Sequence, residues 1–279
     1  MRLKRQQINR KQWGNRNMAV DREKIIRYYK GTEGAETAVK LVDLAESVNK
    51  SRKFKTSSFL DPYGCEIAET VTANYPALKL VFDGGYLGAE RQKAAFIHEE
   101  FLGTPTFDLT VVKASWNAQF YHIAHRDVLG SLIGLGIDRS QIGDLLIKAD
   151  HVKIIADVKM GQFILQNYTQ IGSSAITTEV GSFADIEARE ERCKEIKATV
   201  ASLRVDSIAA AGFGSSRSKI ASDIEADKLK LNWQSVKSTS HMVKEGDIIS
   251  MRGRGRIEVA EVRGQTKKGR TGILLRRYI

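Results

Sequence analysis

Apolar positions in the first part of the chain recur at helical spacing. Further along they give way to short runs that alternate like strands. Ile25, Ile26 and Tyr29, following Asp21, predict a short capped helix. Ala38, Val39, Leu41, Val42, Ala45 and Val48 predict a second helix over about 35–48. Asp61-Pro62 supplies a capping carboxylate and a first-turn proline, so a third helix is expected to run to about Tyr75. Ser51 to Ser58 between them reads as a basic loop. Residues 20–75 are therefore expected to form a helical N-terminal subdomain.

The texture changes at Pro76. Leu78 to Phe82 is strand-like, Gly84-Gly85 turns the chain, and Glu90 to Phe101 reads as a helix. Phe107 to Val112 alternates like a strand, and His125 to Leu135 is helical, ended by Gly134 and Gly136. Ile142 to Ala149 and His151 to Ala156 predict two strands joined at Asp150. A helix from Val158 to Tyr168 and a strand from Ile176 to Val180 complete the set. This order predicts an α+β middle domain of the βαββαβ kind over 76–190, the layout of RNA-recognition sheets but without their aromatic stripe. Residues 181–200 read as a charged link, with a domain boundary near 190–202.

The last stretch, 202–279, is expected to be a separate domain. Val205, Ile208 and Ala209 form one apolar stripe that Gly212 ends. Ser215 or Ser216 can cap a second helix with Ile220, Ala221 and Ile224 inward, which leaves Arg217 and Lys219 pointing outward at its first turn. Cations there gain nothing from the helix dipole but add to backbone N–H groups that already favour phosphate. Short strands follow around Lys230 to Asn232, Val236 and Val243 to Arg252, with a Glu245-Gly-Asp247 turn. Arg252-Gly-Arg-Gly-Arg256 lets the backbone approach a phosphate chain closely.

Charge sharpens this picture. The chain carries a formal +11, and its placement is uneven. Residues 1–30 hold ten Lys/Arg against two Asp/Glu, residues 200–279 sixteen against eight, and the intervening stretch eighteen against twenty-three. Basic ends flanking a mildly acidic body predict a polyanionic partner. Residues 1–19 read as a basic disordered tail. Two cysteines, in no ligand spacing, fit a reducing compartment. No apolar run is long enough for a membrane span, and the basic N-terminus has no apolar core for a secretory signal, so a cytoplasmic protein without membrane contact is expected.

Arg204-Val-Asp206, Ser216-Arg217-Ser-Lys219, Lys230-Leu-Asn232 and Glu245-Gly-Asp247, taken together in order, resemble the S-four RNA-binding domain named for a ribosomal protein. Trp233 stands where a glycine is common, and Ile220 where a small residue is usual. The arginine–glycine extension from Arg252 to Arg270, and the stretch His125 to Asp144, are similar to the YlmH family of bacterial proteins. That resemblance, over about 20–279, implies an α+β chain: a helical N-terminal part, an RNA-recognition-like middle and a C-terminal S-four domain. It also implies a ribosome-associated factor that docks on rRNA and tRNA of the large subunit in quality control of stalled peptidyl-tRNA. The family is linked to cell division too, so a septum-related factor is one alternative. An RNA-modifying enzyme with an unrecognised site is the other.

The residues expected at RNA are Ser216, Arg217, Lys219, Lys230, Asn232, Arg252, Arg254, Arg256, Lys267, Lys268 and Arg270, with Arg126 and Arg139 as orienting contacts in the middle domain. A non-enzymatic monomer without cofactor or metal is expected. His125-Arg-Asp127 echoes a kinase triplet, but Leu132 stands where its asparagine is needed. Arg204-Val-Asp206 echoes a pseudouridine-synthase triplet but opens the S-four domain itself, so Asp206 is expected to cap or form an ion pair. The histidines show no metal-ligand spacing, and Gly253-x-Gly255 lacks the third glycine of a nucleotide loop.

Overall fold

The computed structural model describes residues 22–186, 193–266 and 269–278. The expected tail, 1–19, lies outside the described residues, as do Lys267 and Lys268. Three hydrophobic cores divide the described chain.

The N-terminal domain holds α1 (Arg22–Tyr29), α2 (Ala35–Ser51), β1 (Phe54–Leu60), α3 (Pro62–Thr72), β2 (Leu78–Asp83) and β3 (Gln92–His98). The Asp61 carboxylate accepts the Gly64 N–H at 2.8 Å, and Pro62 opens α3 as expected. Two expectations fail here. The presumed basic loop 51–58 contains β1, and the presumed helix 90–101 is β3, the central strand of an antiparallel β1-β3-β2 sheet. The run Ala94 to Ile97 is buried on both faces, so it carries no period, and its alanines lean toward helix. Leu78, Ala94 and Phe96 share one core with α1 to α3. The first domain is therefore α+β and extends past residue 75 to His98.

The middle domain is β4 (Leu109–Ser115), α4 (His125–Gly134), β5 (Ile142–Ile147), β6 (His151–Asp157), α5 (Val158–Asn167), a two-residue ladder of β7 (Gln170–Ile171) and β8 (Ser174–Ala175), and β9 (Thr177–Gly181). Its four-stranded antiparallel sheet runs β5-β6-β4-β9. This is the expected βαββαβ order, starting at residue 109 instead of 76. Val112, Ala114, Val152, Ile154 and Ala156 point from β4 and β6 into the helix-side core.

The C-terminal domain contains β10 (Cys193–Val200), α6 (Val205–Phe213), α7 (Arg217–Glu225), β11 (Leu229–Leu231), β12 (Gln234–Ser235), β13 (Ile248–Met251), β14 (Gly255–Gln265) and β15 (Thr271–Tyr278). The sheet order is β10-β15-β14-β13-β11-β12, with α6 and α7 packed on one face. The supposed charged link thus contributes an edge strand. Ile196, Ala198 and Val200 alternate with exposed Glu195, Lys197 and Thr199, a period of two that the charges obscure. Among the described residues, no helix is long and apolar enough to cross a membrane.

Candidate nucleic-acid interface

The α6–α7 turn sets the site. Gly214 closes α6 at φ 61°, a left-handed conformation natural to glycine. The Ser216 hydroxyl then accepts the Lys219 N–H at 3.2 Å and caps α7. Ser216 is therefore a helix cap, and Lys219 is an exposed cation with a loose 3.6 Å pairing to Asp223.

Arg217 folds back instead of standing free. Its guanidinium donates to Asp206 Oδ2 at 2.6 and 3.2 Å, while Arg204 donates to the same carboxylate at 3.2 and 3.4 Å. Burial pushes the Asp206 carboxyl up, but bonds from Arg217 and Arg204 outweigh it and hold it below the usual range. The expected ion pair of Asp206 is present. Arg217 remains half exposed and keeps a face toward solvent.

The arginine turn packs beside this helix pair. Gly253 and Gly255 adopt φ of 78° and 82°, and a Cβ on Gly255 would stand 3.3 Å from the Tyr278 carbonyl. Arg254 Nη1 reaches the Phe213 carbonyl at 3.4 Å, and Arg277 stacks 5.7 Å above the Phe213 ring. Arg254 and Arg277 thus meet at the last turn of α6, while Arg217 is held at its first turn, roughly 10 Å away along the helix; Lys219 on α7 and Arg252 in the turn are exposed. Sequence reasoning missed Arg277. The signal was available: Ile273 and Leu275 point inward on β15, so the next residue of that row emerges at the sheet rim beside Phe213.

Other expected contacts lie elsewhere. β14 rises about 3.3 Å per residue, so the far end of this hairpin is roughly 30 Å from the arginine turn. Arg270 sits at that far end, bound to the Thr199 carbonyl at 2.5 Å. Asn232 bridges Asp247 Oδ1 (2.9 Å) and the Ile248 N–H (2.9 Å), so it locks a turn rather than facing a ligand. Lys230 donates to Glu33 of the N-terminal domain at 2.9 Å, and Glu33 also accepts the Ser235 N–H. Burial pushes the Glu33 carboxyl up, but bonds from Ser235 and Lys230 prevail and hold it below its ordinary value.

Arg256 is mostly buried. It pairs with Glu90 of the N-terminal domain at 2.6 Å and lies 4.8 Å over the Tyr278 ring. Trp233, at φ 64°, directs its indole N–H to the other Glu90 oxygen at 3.4 Å. Two of the expected RNA cations, Lys230 and Arg256, therefore hold domains together.

The middle domain's two arginines divide in the same way. Arg139 donates to the Ile142 and Gly143 carbonyls, each at 2.8 Å, and burial with the neighbouring Arg91 charge lowers its pKa to about 10. It is a structural brace. Arg126 is nearly fully exposed, with a 3.4 Å pairing to Asp127. Asp144 accepts the Tyr86 hydroxyl (2.8 Å) and the Glu90 and Arg91 N–H groups (2.7 and 3.1 Å), and so fastens the middle domain to the β2–β3 loop. No cluster able to hold a metal ion occurs among the described residues.

Comparison with known proteins accounts for all three domains. Residues 33–101 match a family described as "YlmH, N-terminal", residues 98–185 one described as "Putative RNA-binding domain in YlmH", and residues 203–249 the S4 domain. The chain is 30% identical over 231 residues to "Ribosome-associated protein quality control protein P2" of Bacillus subtilis, covering 82% of this chain and 90% of that relative. A solved structure titled "Cell division protein ylmH from Streptococcus pneumoniae" aligns at 19% identity and a TM-score of 0.48, over 56% of this chain and 95% of the other. With a relative of that identity and coverage, and with each domain matched in turn, the chain belongs to the YlmH family.

Proposed function

We propose that this protein is a ribosome-associated RNA-binding factor whose S4 domain docks on RNA of the large subunit during quality control of stalled peptidyl-tRNA. The observation that carries this reading is the cationic rim spread over the α6–α7 pair and the arginine turn beside it. Arg217, Lys219, Arg252, Arg254 and Arg277 all keep exposure on the α6–α7 pair, the arginine turn and the end of β15, while Lys230 and Arg256 are committed to the N-terminal domain. Such a rim neutralises phosphates and fixes register on a folded RNA without reading its sequence. The quality-control role rests on the Bacillus subtilis relative and its name. The reading is of a binding protein without turnover in the cytoplasm. The test is sedimentation of the full chain with large subunits carrying peptidyl-tRNA. Arg252→Ala combined with Arg254→Ala should abolish most co-sedimentation, and undiminished binding would refute the assignment. Turnover of a nucleotide or base by the purified protein would refute its non-enzymatic part.

A further inference from the structure

The sheet face that RNA-recognition folds usually offer to bases is closed in this protein. Val111 and Ile155 lie on that face, opposite the helices, and both are buried. Phe59 of the N-terminal domain packs there, so close that a Cβ on Gly143 would stand 2.8 Å from its ring and 3.2 Å from Ile155. Further along the same face, Lys113 pairs with Glu179 at 2.8 Å and Lys153 donates to the Asp185 carbonyl. The middle domain has no bare aromatic sheet to present.

Its most exposed aromatic among the described residues lies in the loop between β4 and α4. Phe120 is 75% exposed. The loop around it is built, not dangling. Trp116 donates its indole N–H to the Ala149 carbonyl at 3.1 Å, Asn117 Oδ1 accepts the Gln119 N–H at 3.0 Å, and the Asn117 carbonyl accepts both the Phe120 and Tyr121 N–H groups. Tyr121 and Ile123 pack inward against the domain core, so the alternate residues Phe120 and His122 are turned outward. The first turn of α4 adds exposed His125 and Arg126. Next to the ring row is a hollow of about 240 Å³ lined by Ala118, His122, Ile123, Ala124, Lys148 and Ala149. Asp127 accepts the Ala124 N–H at 2.9 Å and lies 3.4 Å from Arg126, and Asp150 pairs with His151 at 2.7 Å.

We propose that the Asn117–Ala124 loop and the first turn of α4 form a second RNA contact, in which an unpaired base stacks on Phe120 while Arg126 and His122 meet the adjoining phosphates. The chemistry favours RNA over a protein partner. A protein groove would be met by a contiguous apolar patch, whereas Phe120 is an exposed ring within six residues of exposed His122, His125 and Arg126. An isolated ring bordered by positive charge is what a base with its phosphate requires. The loop is already ordered by its own hydrogen bonds, so stacking need not fix it first.

This inference rests on the RNA-binding reading, and its test separates the two. The full-length protein is titrated with a blunt RNA duplex and with the same duplex carrying a single-stranded extension. Wild type should prefer the extended RNA. Phe120→Ala should weaken binding to it by about five- to hundredfold, the range for one lost base stack, and leave the blunt duplex unchanged. Phe120→Trp should restore the preference and Phe120→Leu should not, because stacking needs a ring and packing does not. Phe120→Ala binding both RNAs like wild type, Phe120→Leu matching wild type, or no preference in wild type would overturn this site and point to a protein contact or a bare surface. Wild type binding neither RNA would overturn the RNA-binding reading together with it.

Discussion

Asp206→Asn removes one charge and keeps the shape of the side chain. The carboxylate is 7% exposed and receives two guanidinium groups, from Arg217 at 2.6 Å and Arg204 at 3.2 Å. Losing one partner of a fully buried pair costs about 3–5 kcal/mol. An exposed pair is worth about 0–1 kcal/mol. Here the acid is buried while Arg204 and Arg217 are 36% and 53% exposed, so both arginines can return to water. A loss of about 2 kcal/mol is expected, which for a domain of this size lowers its melting temperature by roughly 10 °C. The effect should depend on pH in a defined direction. The folded carboxyl has a lowered pKa, so its stabilising contribution is complete above the unfolded value, near about 4. It is lost as pH falls below that value and through the folded one, because the unfolded chain then binds the extra proton. Calorimetry of wild type and variant should therefore show a large gap near neutral pH that closes in acid. Equal melting at neutral pH, or a gap that persists unchanged below about pH 3, would refute the ion-pair account.

The two arginines of the middle domain should separate cleanly in thermal melts. Arg139→Ala strips two carbonyls of charge-assisted donors and should cost about 2–3 kcal/mol, while Arg126→Ala should stay within about 0.5 kcal/mol. Glu90→Gln should loosen the C-terminal domain from its neighbour and speed amide hydrogen exchange around Trp233 and Arg256; unchanged exchange would show that the contact holds nothing. A Cβ at Gly161 would meet Thr110 Cγ2 at 2.2 Å, so Gly161→Ala should destabilise the α5–β4 packing by about 1–3 kcal/mol in a urea titration. RNA binding should weaken with salt at a log–log slope of roughly −3 to −4, for about four neutralised phosphates, and a flat salt dependence would contradict the cationic rim.

The helices were the most legible part of the chain, because their signals are local. Asp61-Pro62 and Ser216 announce helix starts and stand where those residue types require, whereas Gly212, expected to end α6, is buried inside it and the left-handed stop is Gly214. The strands that misled, β1, β3 and β10, lack clean alternation. β3 is covered on both faces, and β1 and β10 carry lysines on their outward positions. The candidate site was legible by residue type but not by destination. Arg217, Lys219, Arg252 and Arg254 keep exposure on the helix pair and the Gly-rich turn. Lys230 and Arg256 have the same chemistry and similar spacing, yet they find Glu33 and Glu90, acids 197 and 166 positions away in the chain. No local pattern reports a carboxylate supplied by another domain. Trp233 was the one hint: a bulky ring at a positive-φ turn position costs strain, and here that ring also meets Glu90.

Glu90 carries a geometric consequence. Its peptide N–H is held by Asp144 of the middle domain and its carboxylate by Arg256 of the S4 domain. The span between the arginine turn and the Phe120 loop is thereby set by a strut of folded protein instead of a flexible tether. Once one end is seated, the effective concentration of the other depends on whether the target offers its second feature at the matching separation. A tethered pair would tolerate many separations, each with modest gain. A braced pair behaves as a caliper: it gains steeply on an RNA of the right breadth and little on any other, so selectivity can come from the target's dimensions without a single base being read.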